Sequence, residues 1–583
     1  MKFSEVAERF TEMSSTTKRL ELTDILVRLL RAAGPDLKKL VYLIQGKLAP
    51  DYKGIELGMA NKMIIKALSA ISGRKEQDIE EMFLKEGDLG TVAGAISQKK
   101  LQNSLFSSEL TVDYVYNELL RLANIGGEGS VKLKIGIYQD LLMNSTPEEG
   151  MYITRIVTGK LRLGVSDATI LDAIVLAFAD KKYSDQIDEA YNFHPDLGMV
   201  AEYLREGKLQ EILDTGPTPM VPAKVMLAER LPEIKDILEK MGGRSAFEYK
   251  YDGMRTQIHI SGDRVRIFSR GSEDTTANFP DIVEHAKETF HCKSCILDGE
   301  AVPYNTETGE LFPFQTVSQR RGRKHDLESI VSEVPLVVFL FDIIYLDGKP
   351  LNRSSYLERR EILNSIYRPN EHFKTATTLV SSDEEEIEKF FENSINSGCE
   401  GLVAKNVSED SIYRAGARGW LWIKVKRDYQ SSFSDTLDLV IIGAFGGHGR
   451  RAGTYGALLM ASYSKENDTF EAVCKLGTGF TDDVLFNLPK KLGKNIVKSK
   501  PARVETKLEP EIWFDPVQVI EIIGSEITVS PVHSCAFGKV ERETGLAIRF
   551  PRFTGRWRDD KKPEDATSTE EIIEMYHAQK KVV

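Results

Sequence analysis

The sequence has 583 residues and a formal net charge of −11, with 41% hydrophobic and 28% charged residues. At roughly 100–200 residues per domain, this length predicts about three domains, and the composition is that of a globular protein. No apolar run reaches the roughly 18 residues that span a bilayer, and the N-terminus lacks the apolar core of a signal peptide, so we expect a cytoplasmic protein without membrane segments.

The first 215 residues are predicted to be helical. Apolar residues recur at helical spacing in two stretches, and Ser166 precedes the second stretch as a candidate N-cap. This pattern predicts an all-α domain over residues 1–215. The segment Gly216–Pro222 contains three prolines, which a helix cannot continue through, so it is predicted to be a linker. The apolar residues are Leu37, Leu40, Val41, Ile44 and Leu48, then Ile170, Ala173, Ile174, Ala177 and Phe178.

Residues 216–428 are predicted to form a mixed α and β domain. Gln257–Ile260 and Arg264–Phe268 alternate in polarity around Ser-Gly-Asp, which predicts a hairpin. Val334–Phe341 is a continuous apolar run, typical of a buried strand, and Asp383–Asn393 has a helical pattern.

Residues 429–583 are predicted to form a small β-barrel followed by one helix. A polar segment, Tyr429–Ser434, marks the boundary, and several short strand candidates with glycine-rich turns follow it. Ser568 and Glu571 form a capping box at the start of the last helix. The strand candidates are Leu437–Ala444, Gly456–Tyr463, Phe470–Leu476 and Val517–Ile523.

Two segments of the chain are rich in basic residues, although the net charge of the whole chain is negative. Whole-chain acidity argues weakly against a nucleic-acid partner, yet two basic clusters stand out, and either could be a solvated face or a phosphate-binding surface. The cysteines are sparse, and Cys292 and Cys295 supply only half of a zinc pattern, so we expect neither a disulfide framework nor a closed zinc site. The clusters are Arg320, Arg321, Arg323 and Lys324, then Arg549, Arg552, Arg556, Arg558, Lys561 and Lys562.

Lys250 is the strongest candidate for covalent chemistry. It lies two residues before Asp252-Gly253, a turn signal, so it is predicted to sit at a strand end and project into a cleft. A lysine attacks only when neutral, so its pKa must be lowered by burial or by a neighbouring cation such as Arg255. Taken alone, this short pattern more often marks an exposed lysine before a turn.

The residues that follow in order strengthen the functional interpretation. Arg270 ends the predicted hairpin, Glu300 is placed at the end of an apolar strand, and Phe341 lies in a buried strand. Glu400 begins Glu-Gly-Leu-Val-Ala-Lys, which ends at Lys405. Lys424 and Lys426 alternate along a strand and therefore share one face.

Together these residues provide what nucleotidyl transfer from ATP requires. Cations at 255, 270 and 424 neutralise phosphates, while Glu300 and Glu400 offer the carboxylate oxygens that Mg²⁺ prefers. Phe341 offers a face for stacking on adenine. The sequence contains no GxxxxGK[ST] pattern, so a P-loop is excluded as the route to the nucleotide.

The ordered motifs resemble those of the ATP-dependent DNA ligases in the covalent nucleotidyltransferase superfamily, most of all the archaeal, Sulfolobus-type members. The resemblance covers essentially the whole chain. It implies an all-α DNA-binding domain (1–215), an α+β nucleotidyltransferase or adenylation domain (216–428) and an OB-fold β-barrel domain (429–583). The motifs are KYDG at Lys250, SRG at Arg270, LDGE at Glu300, FLFDIIYLDG around Phe341, EGLVAK at Glu400, WIKVK at Lys424, and RFPRFTGRWRDDKKPEDA from Arg549 to Ala566.

The resemblance also implies a role for each matched residue. Lys250 would carry AMP, Glu248 would contact adenine, and Phe341 would stack on it. Ribose or phosphates would be bound by Arg255, Arg270, Arg418 and Lys424, and metal or ribose by Glu300 and Glu400. Pyrophosphate would be oriented by Arg549 and Lys561, and a sliding clamp would be bound by Gln102, Leu105 and Phe106.

The implied activity is the sealing of nicks in duplex DNA, with ATP and Mg²⁺ as cofactors and Mn²⁺ as a substitute, in DNA replication, repair and recombination. The resemblance further implies a monomer associated with the nucleoid. The alternatives are an RNA ligase or a capping-type guanylyltransferase, and a non-catalytic, clamp-tethered DNA-binding protein. Missing zinc-binding cysteines disfavour a NAD-dependent ligase, while the use of ADP or GTP stays open because it depends on pocket shape.

Overall fold

The computed structural model describes residues 1–98, 109–306, 309, 311–312, 314–318, 320, 331, 333–426, 436–447, 451, 453–524 and 526–581. The chain forms two compact units. The first comprises Met1–Ala67 and Ser97–Arg427, and the second comprises Leu68–Ile96 and Asp428–Val583. Among the helices found in these residues, none has the length and apolar character needed to cross a membrane.

Helices dominate the N-terminal region. They span Phe3–Ser14 (α1), Arg19–Ala32 (α2), Leu37–Ile44 (α3), Asn61–Ser72 (α4), Glu76–Glu86 (α5), Leu89–Ser97 (α6), Val112–Asn124 (α7), Ser130–Met143 (α8), Pro147–Val157 (α9), Asp167–Phe178 (α10), Ser184–Phe193 (α11), Leu197–Arg205 (α12) and Leu209–Leu213 (α13).

Both helices predicted from apolar spacing are present. The Ser166 hydroxyl accepts a hydrogen bond from the Thr169 amide at 3.3 Å, which confirms the N-cap of α10. Helix α3 ends at Ile44, so Leu48 lies beyond it, although its side chain is buried. The apolar periodicity therefore predicted the buried face of α3 correctly, but it placed the end of the helix about one turn too late.

The central region alternates strands and helices. Its elements are Leu227–Arg230 (β1), Ile234–Lys240 (α14), Ser245–Tyr249 (β2), Met254–Ser261 (β3), Arg264–Ser269 (β4), Pro280–Thr289 (α15), Ser294–Pro303 (β5), Phe314–Ser318 (α16), Leu336–Leu346 (β6), Lys349–Pro350 (β7), Tyr356–Ser365 (α17), Phe373–Thr375 (β8), Thr378–Ser381 (β9), Glu384–Asn396 (α18), Gly401–Asn406 (β10) and Arg418–Lys426 (β11).

These strands form two sheets. One has the order β1-β11-β10-β2-β9, and the other has the order β4-β3-β5-β6-β7, with β8 paired to β6. Helices α14 and α18 pack on the first sheet, whereas α15 and α17 pack on the second, and each sheet has its own buried apolar cluster. The strands that carry the candidate residues thus belong to two different sheets, each packed on its own apolar core.

The predicted hairpin and the predicted buried strand are both present. Strands β3 and β4 pair antiparallel, with Ser261 opposite Arg264. Strand β6 begins later than predicted and runs on to Leu346, because its far end is held by β5 on one side and by β7 on the other. Apolar patterning located this strand, and pairing decided its length.

The described residues of the C-terminal region form short strands and two α-helices. They span Leu437–Gly446 (β12), Tyr455–Ser464 (β13), Thr469–Leu476 (β14), Asp482–Leu492 (α19), Ile496–Val497 (β15), Val504–Glu505 (β16), Ile512–Phe514 (β17), Val519–Ile523 (β18), Glu526–Ser530 (β19), Gly545–Arg549 (β20), Arg552–Trp557 (β21) and Thr569–Lys581 (α20).

Most of these strands join one sheet of order β15-β17-β12-β13-β14-β16, in which β18 pairs with both β12 and β21. Strands β19 and β20 form a separate pair. The capping box of α20 is present, because the Ser568 amide donates to Glu571 Oε2 at 2.6 Å and the Glu571 amide donates to Ser568 Oγ at 3.2 Å.

Candidate active site

One cavity of about 820 Å³ in the first unit collects the predicted residues of the central region. This volume lies within the range typical of ligand pockets. The predicted residues on its wall are Glu248, Lys250, Arg255, Arg270, Glu300, Phe341, Glu400, Arg418 and Lys424, and Lys405, Lys426 and Trp422 join them.

Lys250 follows the last residue of β2 and faces Glu400. The Lys250 amide donates to the Gly401 carbonyl at 2.8 Å, and the Glu400 amide donates to the Lys250 carbonyl at 2.8 Å. These two bonds bring together segments that are far apart in the chain, and the Lys250 amine forms an ion pair with Glu400. Glu400 also pairs with Lys426 at 2.8 Å, so one carboxylate serves two lysines.

The charge state of Lys250 differs from the prediction. Burial lowers the pKa of its amine, but the carboxylates of Glu400, Glu300 and Asp252 outweigh burial and raise the pKa above its ordinary value. The expectation of a lowered pKa is wrong for this structure, because carboxylates rather than Arg255 are the nearest charged neighbours. The lysine is therefore held as an ammonium until its carboxylate partners are withdrawn.

Gly253 in the same motif is required by a close approach between strands. A Cβ built on Gly253 would lie 2.4 Å from the Ala301 carbonyl oxygen of β5, and the backbone does not have a positive φ. The next residue, Met254, pairs directly with Ala301. The glycine thus lets the segment after Lys250 approach the strand that carries Glu300.

Glu300 lies in the interior of β5, between Arg255 and Phe339 on the neighbouring strands. The prediction that it ends a strand is wrong, because pairing with β6 extends β5 to Pro303. Burial raises the pKa of the Glu300 carboxyl to about 7, although Lys250 and Arg255 act in the opposite direction. Its protonation therefore changes near neutral pH.

Positive charge is concentrated around Lys424. Burial lowers the pKa of its amine, and the neighbouring cations Lys250, Lys426, Arg418 and Arg270 lower it further. Lys424 and Lys426 lie on one face of β11, as predicted, and both line the cavity. Such a cluster is suited to a polyphosphate, whose negative charge offsets the mutual repulsion of the cations.

Arg255 lines the cavity but directs its donors into the protein. Its guanidinium binds both oxygens of Asp298, at 3.0 and 2.6 Å, and donates to the Met226 carbonyl at 2.7 Å. It also lies over the rings of Phe341 and Trp422, at 5.3 and 5.5 Å from their centres. In this arrangement Arg255 stabilises the wall that carries the aromatic rings.

Glu248 and Phe341 also line the cavity, and Lys405 contacts both of them. The Lys405 amine is buried, pairs with Glu248 at 2.7 Å and donates to the Phe341 carbonyl at 3.0 Å. It lies 4.4 Å from the centre of the Trp422 ring. Sequence reasoning gave Lys405 no role, although its alternation with Val403 along β10 placed both residues on the same face.

The residues behind Glu248 were also missed. Tyr356 and Arg360 contact its carboxylate from α17, and Arg359 of the same helix forms a buried ion pair with Asp342. Their spacing on a helix carries no sign of a partner in a distant strand, so the sequence alone did not reveal them.

In the second unit, Lys561 pairs with Asp438 at 2.7 Å, and Arg558 pairs with the same carboxylate at 2.5 Å. Arg549 ends β20 and lies 3.9 Å from Glu526. The basic segment is thus partly neutralised by acidic residues of its own unit.

Several predicted residues lie outside the described part of the chain, namely Gln102, Leu105, Phe106, Arg321, Arg323 and Lys324. Arg320 is described, and it is fully buried and bound to Asp281 at 2.8 Å. Its assignment to an exposed basic cluster is therefore wrong, because the carboxylate of Asp281 and the Val334 carbonyl bind its guanidinium inside the protein.

Comparison with known proteins decides the family. Residues 2–175 match the family of the DNA ligase N terminus, residues 225–426 match the ATP dependent DNA ligase domain, and residues 451–561 match the ATP dependent DNA ligase C terminal region. A DNA ligase of Thermoplasma volcanium is 62% identical over 583 residues, covering 100% of this chain and 99% of that protein. This chain belongs to the ATP-dependent DNA ligases.

Further comparisons agree with the assignment. A DNA ligase of Saccharolobus solfataricus is 44% identical over 591 residues, covering 100% of this chain and 98% of that protein. A solved structure titled Pmar-Lig_PreS3 has a TM-score of 0.55 at 16% identity, covering 95% of this chain and 99% of that one, which shows the fold alone.

The ligase therefore has an N-terminal DNA-binding domain, a central adenylation domain and a C-terminal OB-fold domain. It seals nicks in duplex DNA at the expense of ATP, through a lysine–AMP intermediate and an adenylated 5′-phosphate. The RNA ligase, capping enzyme and non-catalytic alternatives are not favoured.

Proposed function

We propose that Lys250 is the nucleophile of this ligase. In the first step its Nζ forms a bond to the α-phosphorus of ATP, the bond to pyrophosphate breaks, and the ammonium proton passes to a base or to solvent. In the second step an oxygen of the 5′-phosphate takes AMP from the lysine. In the third step the 3′-hydroxyl attacks that phosphate, and AMP leaves.

The observation that supports this proposal is the arrangement of charges in the cavity. Lys250 lies between the carboxylates of Glu400 and Glu300, and the cations Arg270, Arg418 and Lys424 follow along the same wall. A triphosphate bound to these cations would have its α-phosphate near the lysine and its base near the aromatic rings.

Two carboxylates next to Lys250 suit a divalent cation. Glu300 and Glu400 both face the lysine and offer only oxygen, the ligand that Mg²⁺ and Mn²⁺ prefer, with phosphates completing the coordination. A bound cation would neutralise phosphate charge and the two carboxylates that raise the pKa of Lys250. The chain's own contribution is to hold these carboxylates beside the amine.

The remaining roles follow from position in the cavity. We assign stacking on adenine to Phe341, and acceptance of a hydrogen bond from adenine to Glu248. The cations Arg270, Arg418 and Lys424 would bind phosphates or ribose. Arg255 would act on the ribose or phosphates only after releasing part of its bond to Asp298.

The C-terminal region is proposed to supply two further cations. Arg549 and Lys561 would orient the leaving pyrophosphate, and Lys561 would have to exchange Asp438 for phosphate oxygen in that step.

The wider setting follows from the family. We propose domain limits of 1–215, 216–428 and 429–583, and a monomer in the cytoplasm associated with the nucleoid. The helical domain would hold the duplex through its phosphates without reading bases, because nicks occur at any sequence. The clamp contact at Gln102, Leu105 and Phe106 is proposed from its motif alone.

The decisive experiment is incubation of the full chain with α-labelled ATP and Mg²⁺ in the absence of DNA. The wild type should become labelled covalently, and Lys250→Ala should not. Lys287→Ala is the matched control, because Lys287 is an exposed lysine of the same domain that does not line the cavity. Normal labelling of Lys250→Ala would show that another residue carries AMP.

A further inference from the structure

We infer that Tyr356 and Arg360 are positioning residues that fix the Glu248 carboxylate as the group reading the exocyclic amine of the purine, and that they thereby set the preference for adenine. This inference rests on the proposed role of the cavity in binding ATP. It concerns two residues behind the cavity wall that no sequence motif singled out.

Within the part of the chain that the structure describes, three donors hold the Glu248 carboxylate. Tyr356 Oη donates to Glu248 Oε1 at 2.6 Å, Arg360 Nη1 donates to the same oxygen at 3.0 Å, and Lys405 Nζ pairs with Oε2 at 2.7 Å. The side chain of Glu248 is 3% exposed. A carboxylate has about four acceptor sites, so three donors leave one site for a ligand.

The donors approach from two directions. Lys405 lies on the cavity wall, whereas Tyr356 and Arg360 are absent from it and contact Glu248 from α17. Tyr356 and Arg360 are four residues apart, so they lie on one face of the helix. The contacts from α17 therefore leave the cavity side of the carboxylate for the base.

Arg360 is itself fixed. Its guanidinium donates to the Thr378 hydroxyl at 2.9 Å and to the Leu340 carbonyl at 3.3 Å, and it also binds the Ala376 carbonyl. Helix α17 begins with a capping box between Ser355 and Glu358. A rotation of Glu248 would therefore break bonds to groups that cannot follow it.

The charges decide what Glu248 can recognise. Two cations, Arg360 and Lys405, and the Tyr356 hydroxyl all direct donors at this one carboxylate, so its oxygens act as hydrogen-bond acceptors. The amine at C6 of adenine is a donor and satisfies it. Guanine and hypoxanthine have an oxygen at C6, which would face the carboxylate without a proton between them, so these bases are rejected.

The test compares ATP with purine-riboside triphosphate, which lacks the C6 amine, and with inosine triphosphate. The rate of covalent labelling and the KM are measured for the full-length wild type, Tyr356→Phe, Arg360→Lys, Arg360→Met and the control Glu361→Gln. Glu361 is exposed on the same helix and does not line the cavity.

For the wild type we expect kcat/KM to be about 10–100-fold higher with ATP than with the amine-free analogue, as for one hydrogen bond to a charged group. Tyr356→Phe should reduce this ratio about 3–10-fold, mainly through the KM for ATP, while the analogue is used nearly as before. Arg360→Lys should retain more of the ratio than Arg360→Met, because it keeps the charge. Glu361→Gln should match the wild type.

Two different results would distinguish a failure of this inference from a failure of the proposed function. If ATP and the analogue lose activity in equal proportion in Tyr356→Phe and Arg360→Lys, the pair only supports the fold and the inference is overturned. The labelling rates are normalised to the fraction of chains that can be labelled, so that misfolded protein does not affect the comparison. If the wild type itself is not labelled on Lys250, the proposed function fails instead.

Discussion

Replacing Gly253 with alanine tests whether the spacing between the Lys250 segment and β5 controls the first step. The added Cβ would lie 2.4 Å from the Ala301 carbonyl oxygen and 2.9 Å from Val302 Cγ2. Favourable carbon–oxygen contacts lie at about 3.3–3.6 Å, so one of the two strands must move by roughly 1 Å.

That movement affects the reacting groups directly. Gly253 is three residues after Lys250, and Ala301 follows Glu300, so the strands cannot separate without changing the distance between the lysine and this carboxylate. A misplacement of about 1 Å can cost about 100-fold in rate. The cost in stability should be only about 1–3 kcal/mol, as for other overpacked sites.

The assay is single-turnover labelling with α-labelled ATP, together with a denaturant melt of the same preparation. We expect Gly253→Ala to remain folded and to label about 100-fold more slowly. The matched control is Gly136→Ala in α8, where an added Cβ has no neighbour within 4 Å and alanine favours the helix. Labelling at the wild-type rate by Gly253→Ala would refute the reasoning, because the close approach would then be without consequence.

Three further predictions follow from the contacts. Wild-type labelling should slow as the pH falls through about 7, because the pKa of Glu300 is raised to about 7 and its carboxyl, once neutral, cannot hold a cation. In Glu300→Gln the rate should be low at every pH, and this decline at acidic pH should be absent. Arg359→Met should lower the free energy of unfolding by about 3–5 kcal/mol in a denaturant melt, because Asp342 loses its buried ion-pair partner. The double variant Arg359→Met with Asp342→Leu should recover most of this stability. An unchanged stability of Arg359→Met would contradict the assigned pair. Ser568→Ala should cost about 1 kcal/mol by removing the cap of α20, and Glu571→Gln less; equal stability of Ser568→Ala and wild type would show that the cap contributes nothing.

The sequence by itself determined the local structure around the site. Lys250 was placed at a strand end by the turn that follows it, and Lys424 and Lys426 on one face by alternation along a strand. The cap at Ser568 was readable because its two hydrogen bonds join residues three apart. These features depend on neighbours within a few residues, and such neighbours are visible in the sequence.

Only the tertiary structure decided which charges face each other. Lys250 meets Glu400 across 150 positions in the chain, and this contact reverses the direction expected for the pKa of the lysine. Arg255 turns to Asp298 rather than to the open cavity, and Glu248 is held by residues more than a hundred positions away. A pKa and a hydrogen-bond geometry depend on distances between strands, and those distances arise from sheet pairing and packing rather than from the order of residues.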